Sequence, residues 1–181
     1  MDQVSFLPFS LRSPNSPLPS PSATNERFEE RKQCFIDQYS NYTITGPDGK
    51  QHPINGRFTD GEDTADAGGI AQAYKAWMTR RESDPKGEKY NNVVLPGLSE
   101  YTREQLFFIA FAQGWARAMT PAEAVRRIRV DPHSPTQFRV RGPLSNSQAF
   151  ADAWGCPVGS PMNNKNKCSV SAVPLCRVSE R

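Results

Sequence analysis

GEDTADAGGIAQAYKAW, residues 61–77, is the stretch on which the rest of the chain turns. Glu62 and Asp66 stand four positions apart, so on a helix they project from one face about one turn from each other. Like charges so placed repel. They are tolerated at a helix N-terminus, where the macrodipole favours anions, or with a cation beside them. Asp63 points about 100° away from Glu62 and is expected in solvent. An exposed helix start would account for the acids, but it leaves Ala67-Gly68-Gly69 unexplained. Each glycine in a helix interior costs roughly 1 kcal/mol relative to alanine, a cost that usually means another backbone comes very close. A metal site between two tightly packed helices needs that combination.

Working outward, the sequence reads as helices joined by polar loops. A helix is expected from Glu26 to Gln38, carrying Phe28, Cys34 and Phe35 with Tyr39 just beyond. The Gly/Pro/Asn/Asp-rich connection over 45–56 reads as a loop or short hairpin. A second helix runs from Gly61 to Arg81, with Ala65, Gly69, Ala73 and Trp77 along one ridge beside Ile70, Tyr74 and Met78. After a long loop over 83–97, a third helix from Thr102 to Met119 holds the most apolar run, LFFIAFAQGW. Thr120, Pro121 and Glu123 supply a cap, a proline at the first helical position and a glutamate three residues on, so a fourth helix starts there and ends near Val130. A last helix fits 146–154, capped by Ser145 with Gln148 as partner and stopped by Gly155. Trp77 and Trp154 read as core. With no period-2 pattern of useful length, the fold class is mainly α.

Composition limits what such a fold does. Of 181 residues, 36% are hydrophobic and sixteen are proline. Residues 1–24 alternate Ser and Pro with no helical or strand period, as expected of a disordered segment. That segment lacks a basic start and an apolar core of about 7 to 15 residues, so it does not read as a secretory signal. Nor is there a run of about 18 apolar residues, so no membrane segment is expected. A net charge of +3 is too small and too dispersed for a nucleic-acid partner, and RRIRV at 126–130 reads as a solvated helix face. The cysteines at 34, 156, 168 and 176 include no CxxC pair. That argues against a thiolate zinc knuckle and for disulfides, which need an oxidising compartment. The sequon Asn41-Tyr42-Thr43 points the same way.

Several stretches, taken in order, resemble one family. GEDTADAGGIAQAYKAW is similar to the GENxADxGGxxxAYxA helix of the neprilysin and endothelin-converting-enzyme family of zinc metallopeptidases. CFIDQYSNYT resembles its Cys-containing helix and glycosylated turn, and LPGL with EQLFFIAFAQGWA its core helix. VDPHSPTQFRV resembles its DxHSPxxFR active-site loop, and AFADAWGCPVGSPMNNKNKC the end of the family, with two cysteines twelve apart. The likeness covers about residues 26–170. It implies that residues 25–170 form the C-terminal helical portion of a thermolysin-like (gluzincin) catalytic domain, followed by an atypical tail over 171–181.

Roles follow from the resemblance residue by residue. Glu62 matches a ligand of the catalytic zinc, for which a carboxylate oxygen is a normal donor. Asp66 matches the acid that orients a ligating histidine by accepting its other ring N–H. His133 matches the stabiliser of the oxyanion, and Asp131 the acid that holds that imidazole. Arg139 matches the side chain that grips a backbone carbonyl of a bound peptide, and Trp115 falls where the family lines its pocket for an apolar side chain. A disulfide between Cys34 and Cys168, a glycan at Asn41 and peptide substrates are likewise implied, while Cys156 is left without its partner.

One departure counts against simple transfer. The family holds its zinc first with HExxH, whose glutamate activates water, yet the two histidines here precede Pro53 and Ser134. One carboxylate does not make a three-ligand site, so this polypeptide alone is expected to bind zinc weakly and to hydrolyse no peptide. The alternative is a non-catalytic protein that holds peptides or a partner chain through Arg139 and the pocket. The family is membrane-anchored or secreted, but neither anchor nor signal is read here, so the resemblance assigns no location.

Overall fold

A computed structural model describes residues 21–83 and 95–170. The first twenty residues of the Pro/Ser-rich segment, most of the long loop over 83–97 and the tail over 171–181, with Cys176, lie outside the described residues. Within them the order is α1 (Pro21–Ser40), β1 (Thr43–Thr45), β2 (Gln51–Pro53), α2 (Gly56–Ser83), α3 (Arg103–Gln113), α4 (Pro121–Val130), α5 (Thr136–Ser145) and α6 (Gln148–Trp154). The class is mainly α, as the sequence predicts. The 45–56 connection closes an antiparallel hairpin in which Ile44 faces His52, with Gly49 at φ 74° where only glycine turns without strain. None of the described helices is long and apolar enough to cross a membrane.

Local chemistry accounts for most helix ends. Thr102 and Gln105 form a reciprocal capping box at α3, and Thr120 caps α4 by accepting from the Glu123 N–H ahead of Pro121. Gly155, at φ 60°, stops α6. Several expectations are corrected. α1 begins at Pro21, inside the segment read as disordered, rather than at Glu26, and α2 begins at Gly56 rather than Gly61, which puts Glu62 beyond its first turn. The third helix stops at Gln113 rather than Met119, and Gly114 caps it, which turns Trp115 out of the helix. The cap of the last helix is Ser147, whose oxygen accepts from the Phe150 N–H at 3.1 Å. Ser145 is buried instead and donates to the Gly142 carbonyl at 2.9 Å. Finally, α5 occupies a stretch to which the sequence assigned no helix.

Gly142 explains why α5 is there. A Cβ at this position would lie 2.0 Å from the Tyr39 hydroxyl oxygen, so only glycine lets α1 and α5 meet. Tyr39 and Phe35 are fully enclosed, each burial worth about 1.5–3 kcal/mol. Tyr42 stacks on Phe138 with centroids 4.5 Å apart, and Ile44, Ile54, Val125 and Cys168 complete this cluster. A second cluster of Ile70, Phe108 and Leu144 joins α2, α3 and α5. Trp77 stacks half-buried on Phe107 outside both clusters, and Trp154 is exposed, so neither takes the core place expected of it. A disulfide joins Cys34 of α1 to Cys168, with Cα atoms 5.6 Å apart. Cys156 is a half-buried free thiol.

Close backbone approach therefore falls elsewhere than expected. Nothing described lies within 4 Å of a Cβ at Gly69, and Gly68 meets only Val170 at ordinary contact distance, whereas Gly56 would strike the Ile36 carbonyl at 2.3 Å. Opposite outcomes are expected for two alanine substitutions. Gly142→Ala should lower stability by about 3 kcal/mol, since neither the buried ring nor the helix backbone can yield. Gly69→Ala should raise it by about 0.5–1 kcal/mol. Urea denaturation midpoints of the two variants check both signs.

Candidate active site

α2 carries Glu62 and Asp66 on one face, as the i, i+4 spacing requires. The α4–α5 loop brings His133 to that face, with its Nε2 3.1 Å from Glu62 Oε2. Asp131, the C-cap of α4, lies 2.7 Å from the His133 Nδ1 and accepts the His133 backbone N–H at 3.0 Å. Each ring nitrogen thus faces a carboxylate, and Pro132 and Pro135 stiffen the loop on either side. Arg127 reaches Asp131 from one helical turn back.

The cation that the two acids of α2 require comes from α5. Arg139 donates from Nε and Nη2 to the two oxygens of Asp66 at 2.6 and 2.7 Å, a bidentate, charge-assisted pair. The same Nη2 lies 3.6 Å from Glu62. Trp115, turned out where α3 ends early, lies under the guanidinium at 4.1 Å from its ring centroid, close enough for a cation–π contact. The ion pair is largely covered, with side-chain exposures of 13% and 11%, whereas Glu62 and His133 are 42% and 38% open. The site therefore presents one carboxylate and one imidazole to solvent above a covered Arg–Asp floor.

Electrostatics follow this layout. Asp66 hydrogen bonds hold the Arg139 pKa above its ordinary value, burial opposing them. Partial burial pushes the Asp131 carboxyl up, but the His133 backbone N–H, its imidazole and Arg127 together outweigh it and leave the group below its usual range. Asn41 is exposed at the end of α1, its amide donating to the Asp37 carbonyl at 2.9 Å.

Asp63 is the residue that sequence reasoning misplaced. It is fully buried rather than solvated, and its Oδ2 accepts from the Thr59 hydroxyl at 2.7 Å. Burial pushes its pKa up to about 7, against the Thr59 and Ser134 hydroxyls, which lower it. A helical wheel gives the 100° turn from Glu62 but not which arc meets the rest of the molecule. The signal that was available is Thr59 four residues earlier, a hydroxyl one turn below the carboxylate.

Chemistry of the donor set decides the question of metal. Among the described residues no three His, Cys, Asp or Glu side chains are grouped to hold an ion. The described residues do not by themselves make a zinc centre.

Comparison with known proteins places the chain in a family. A profile of peptidase family M13 matches residues 21–170. The chain belongs to peptidase family M13. It is 44% identical over 147 residues to an endothelin-converting enzyme homolog of Locusta migratoria, covering 81% of this chain and 19% of that protein. Human endothelin-converting enzyme 1 is 43% identical over 145 residues, covering 80% and 17%, and neprilysin-11 of Caenorhabditis elegans 40% over 146 residues, covering 79% and 16%. The chain therefore spans less than a fifth of the length of these M13 relatives. Among solved structures, the Haemonchus galactose-containing glycoprotein complex superposes with a TM-score of 0.73 at 30% identity, over 83% of this chain and 24% of that one. The inhibitor complex of the Mycobacterium tuberculosis zinc metalloprotease ZMP1 gives 0.61 at 33% identity, over 73% and 19%. The fold is thus a partial M13 domain, and zinc belongs to the family.

Proposed function

We propose that residues 21–170 supply one wall of a zinc metallopeptidase active site that cleaves oligopeptides before apolar residues. Glu62 serves as one metal ligand. The other two ligands, and the glutamate that activates water, come from an HExxH segment outside these 181 residues. What supports this most is the approach of Glu62 to His133 at 3.1 Å, because it sets a hydrogen-bond donor beside the ligand carboxylate, where a carbonyl oxygen acquires charge during attack. Asp131 holds that imidazole in orientation from its far side. Asp66 has both oxygens on Arg139 and keeps lone pairs able to accept a ring N–H from an incoming histidine. Arg139 spends Nε and Nη2 on acids, which leaves Nη1 as the donor for a peptide carbonyl. Trp115 fixes the guanidinium plane and forms the apolar wall for the side chain that follows the cleaved bond. Asn41 is accessible for a glycan.

Zinc titration by calorimetry and a peptide-hydrolysis assay on the purified chain test this reading together. Neither stoichiometric zinc binding at micromolar concentration nor turnover is expected, and Glu62→Gln should change neither result. Hydrolysis by the chain alone would contradict it. Peptide retained in strong chelator without turnover would favour the binding-protein reading instead.

A further inference from the structure

Three buried polar atoms among the described residues lack a hydrogen-bond partner: Asp63 Oδ1, Thr64 Oγ1 and Ser134 Oγ. Two of them belong together. Asp63 and Ser134 are 0% and 2% exposed, and they directly follow Glu62 and His133, whose side chains meet at 3.1 Å. An orphaned buried acceptor or donor costs about 1–3 kcal/mol, and buried polar groups in native proteins are almost always satisfied. An acceptor and a donor on these two neighbouring segments, both buried and both without a partner, can satisfy each other. The hydroxyl hydrogen reaches the carboxylate directly, or through one buried water of the kind that joins such groups.

Position gives this contact a purpose. Asp63 follows Glu62 on α2, and Ser134 follows His133 in the α4–α5 loop. The opposing exposed neighbours are the pair that meets at 3.1 Å. We infer that Asp63 is a positioning residue, which anchors the His133 loop to α2 through Ser134 and so sets the imidazole against Glu62. Asp131 fixes the ring from the α4 side, but Asp131 and His133 share one loop, so that bond does not set the distance to α2. Thr59 holds the other carboxylate oxygen at 2.7 Å, which leaves Oδ1 as the oxygen without a partner. The purpose of this positioning rests on the active-site reading above, whereas the anchor itself needs neither metal nor substrate.

Amide hydrogen exchange on the full chain, followed by NMR, separates the two. Ser134→Ala and Asp63→Ala should each speed exchange of the His133 and Ser134 amides about tenfold relative to Tyr39 in α1, the loss of one buried hydrogen bond. The double variant should be no faster than either single one. Asp63→Asn keeps a carbonyl oxygen for Ser134 and should restore protection to within about twofold. Because Ser134→Ala removes only a hydroxyl, it remains informative even where Asp63→Ala unfolds. The inference is overturned if the loop amides are unchanged in Ser134→Ala, if Asp63→Asn exchanges as fast as Asp63→Ala, or if Tyr39 speeds up equally. None of these results bears on zinc binding, so the anchor and the peptidase reading fail separately.

Discussion

Reducing the Cys34–Cys168 disulfide is expected to remove about 5 kcal/mol of stability on the chain-entropy account, because the bond closes a loop spanning 134 positions. Domains of this size hold only about 5–15 kcal/mol in total, so the reduced chain should be at the edge of unfolding at room temperature. The bond ties α1 to the far end of the described chain, and Cys168 also packs among Phe35, Tyr39 and Phe138. Two other ties survive reduction. Arg31 donates to the Val170 carbonyl at 2.9 Å, and the Cys168 N–H donates to Asn146 Oδ1 at 3.1 Å. Both are single hydrogen bonds worth about 1 kcal/mol each, too little to replace the crosslink. Urea denaturation with and without reductant, alongside a Cys34→Ser/Cys168→Ser double variant, reads the loss directly. Unchanged midpoints would mean that the crosslink contributes no stability.

Arg139→Leu should be the most damaging single change within the site. It strands Asp66, which is 11% exposed, next to Glu62 and near buried Asp63 with no cation between them. Breaking a covered ion pair from one side costs about 3–5 kcal/mol. The leucine also loses its stacking place on Trp115. Adding Asp66→Leu should recover much of the loss, since the stranded charge is then gone, and a thermal-denaturation double-mutant cycle measures that recovery. Arg139→Lys keeps the charge but not the two-pronged fork, so it should fall between wild type and Arg139→Leu. Independent, additive costs for Arg139→Leu and Asp66→Leu would show that the pair is not coupled.

How much of this could be read in advance depended on whether the deciding contact was local. The cap of α4 at Thr120, the stop at Gly155 and the shared face of Glu62 and Asp66 are set within a few residues, and the sequence shows them. The family motifs also named Glu62, Asp66, Asp131, His133 and Arg139, which lie together in the structure. What was missed depends on distant partners. Residue 142 inside α5 is glycine because Tyr39 of α1 occupies the space a side chain would need, a contact between distant segments that no local reading shows. Ser145 and Ser147 are equivalent as caps until the half-buried amides of Gln38 and Asn164 engage the first, each 3.2 Å from its hydroxyl. Gly68 and Gly69 suggested a close backbone that no described residue provides. Asp63 was assigned to water because the periodicity of α2 does not say that the loop around Ser134 folds over it.

Glu62 is proposed as a zinc ligand whose fellow ligands lie outside these residues. The most direct measurement replaces the matching stretch of human endothelin-converting enzyme 1, 43% identical to this chain, with residues 21–170 and determines zinc per folded chain by metal analysis. One zinc is predicted, lost on Glu62→Gln but retained on Asp37→Asn, a surface acid of α1. A folded chimera without zinc, or one that keeps its metal after Glu62→Gln, would contradict it.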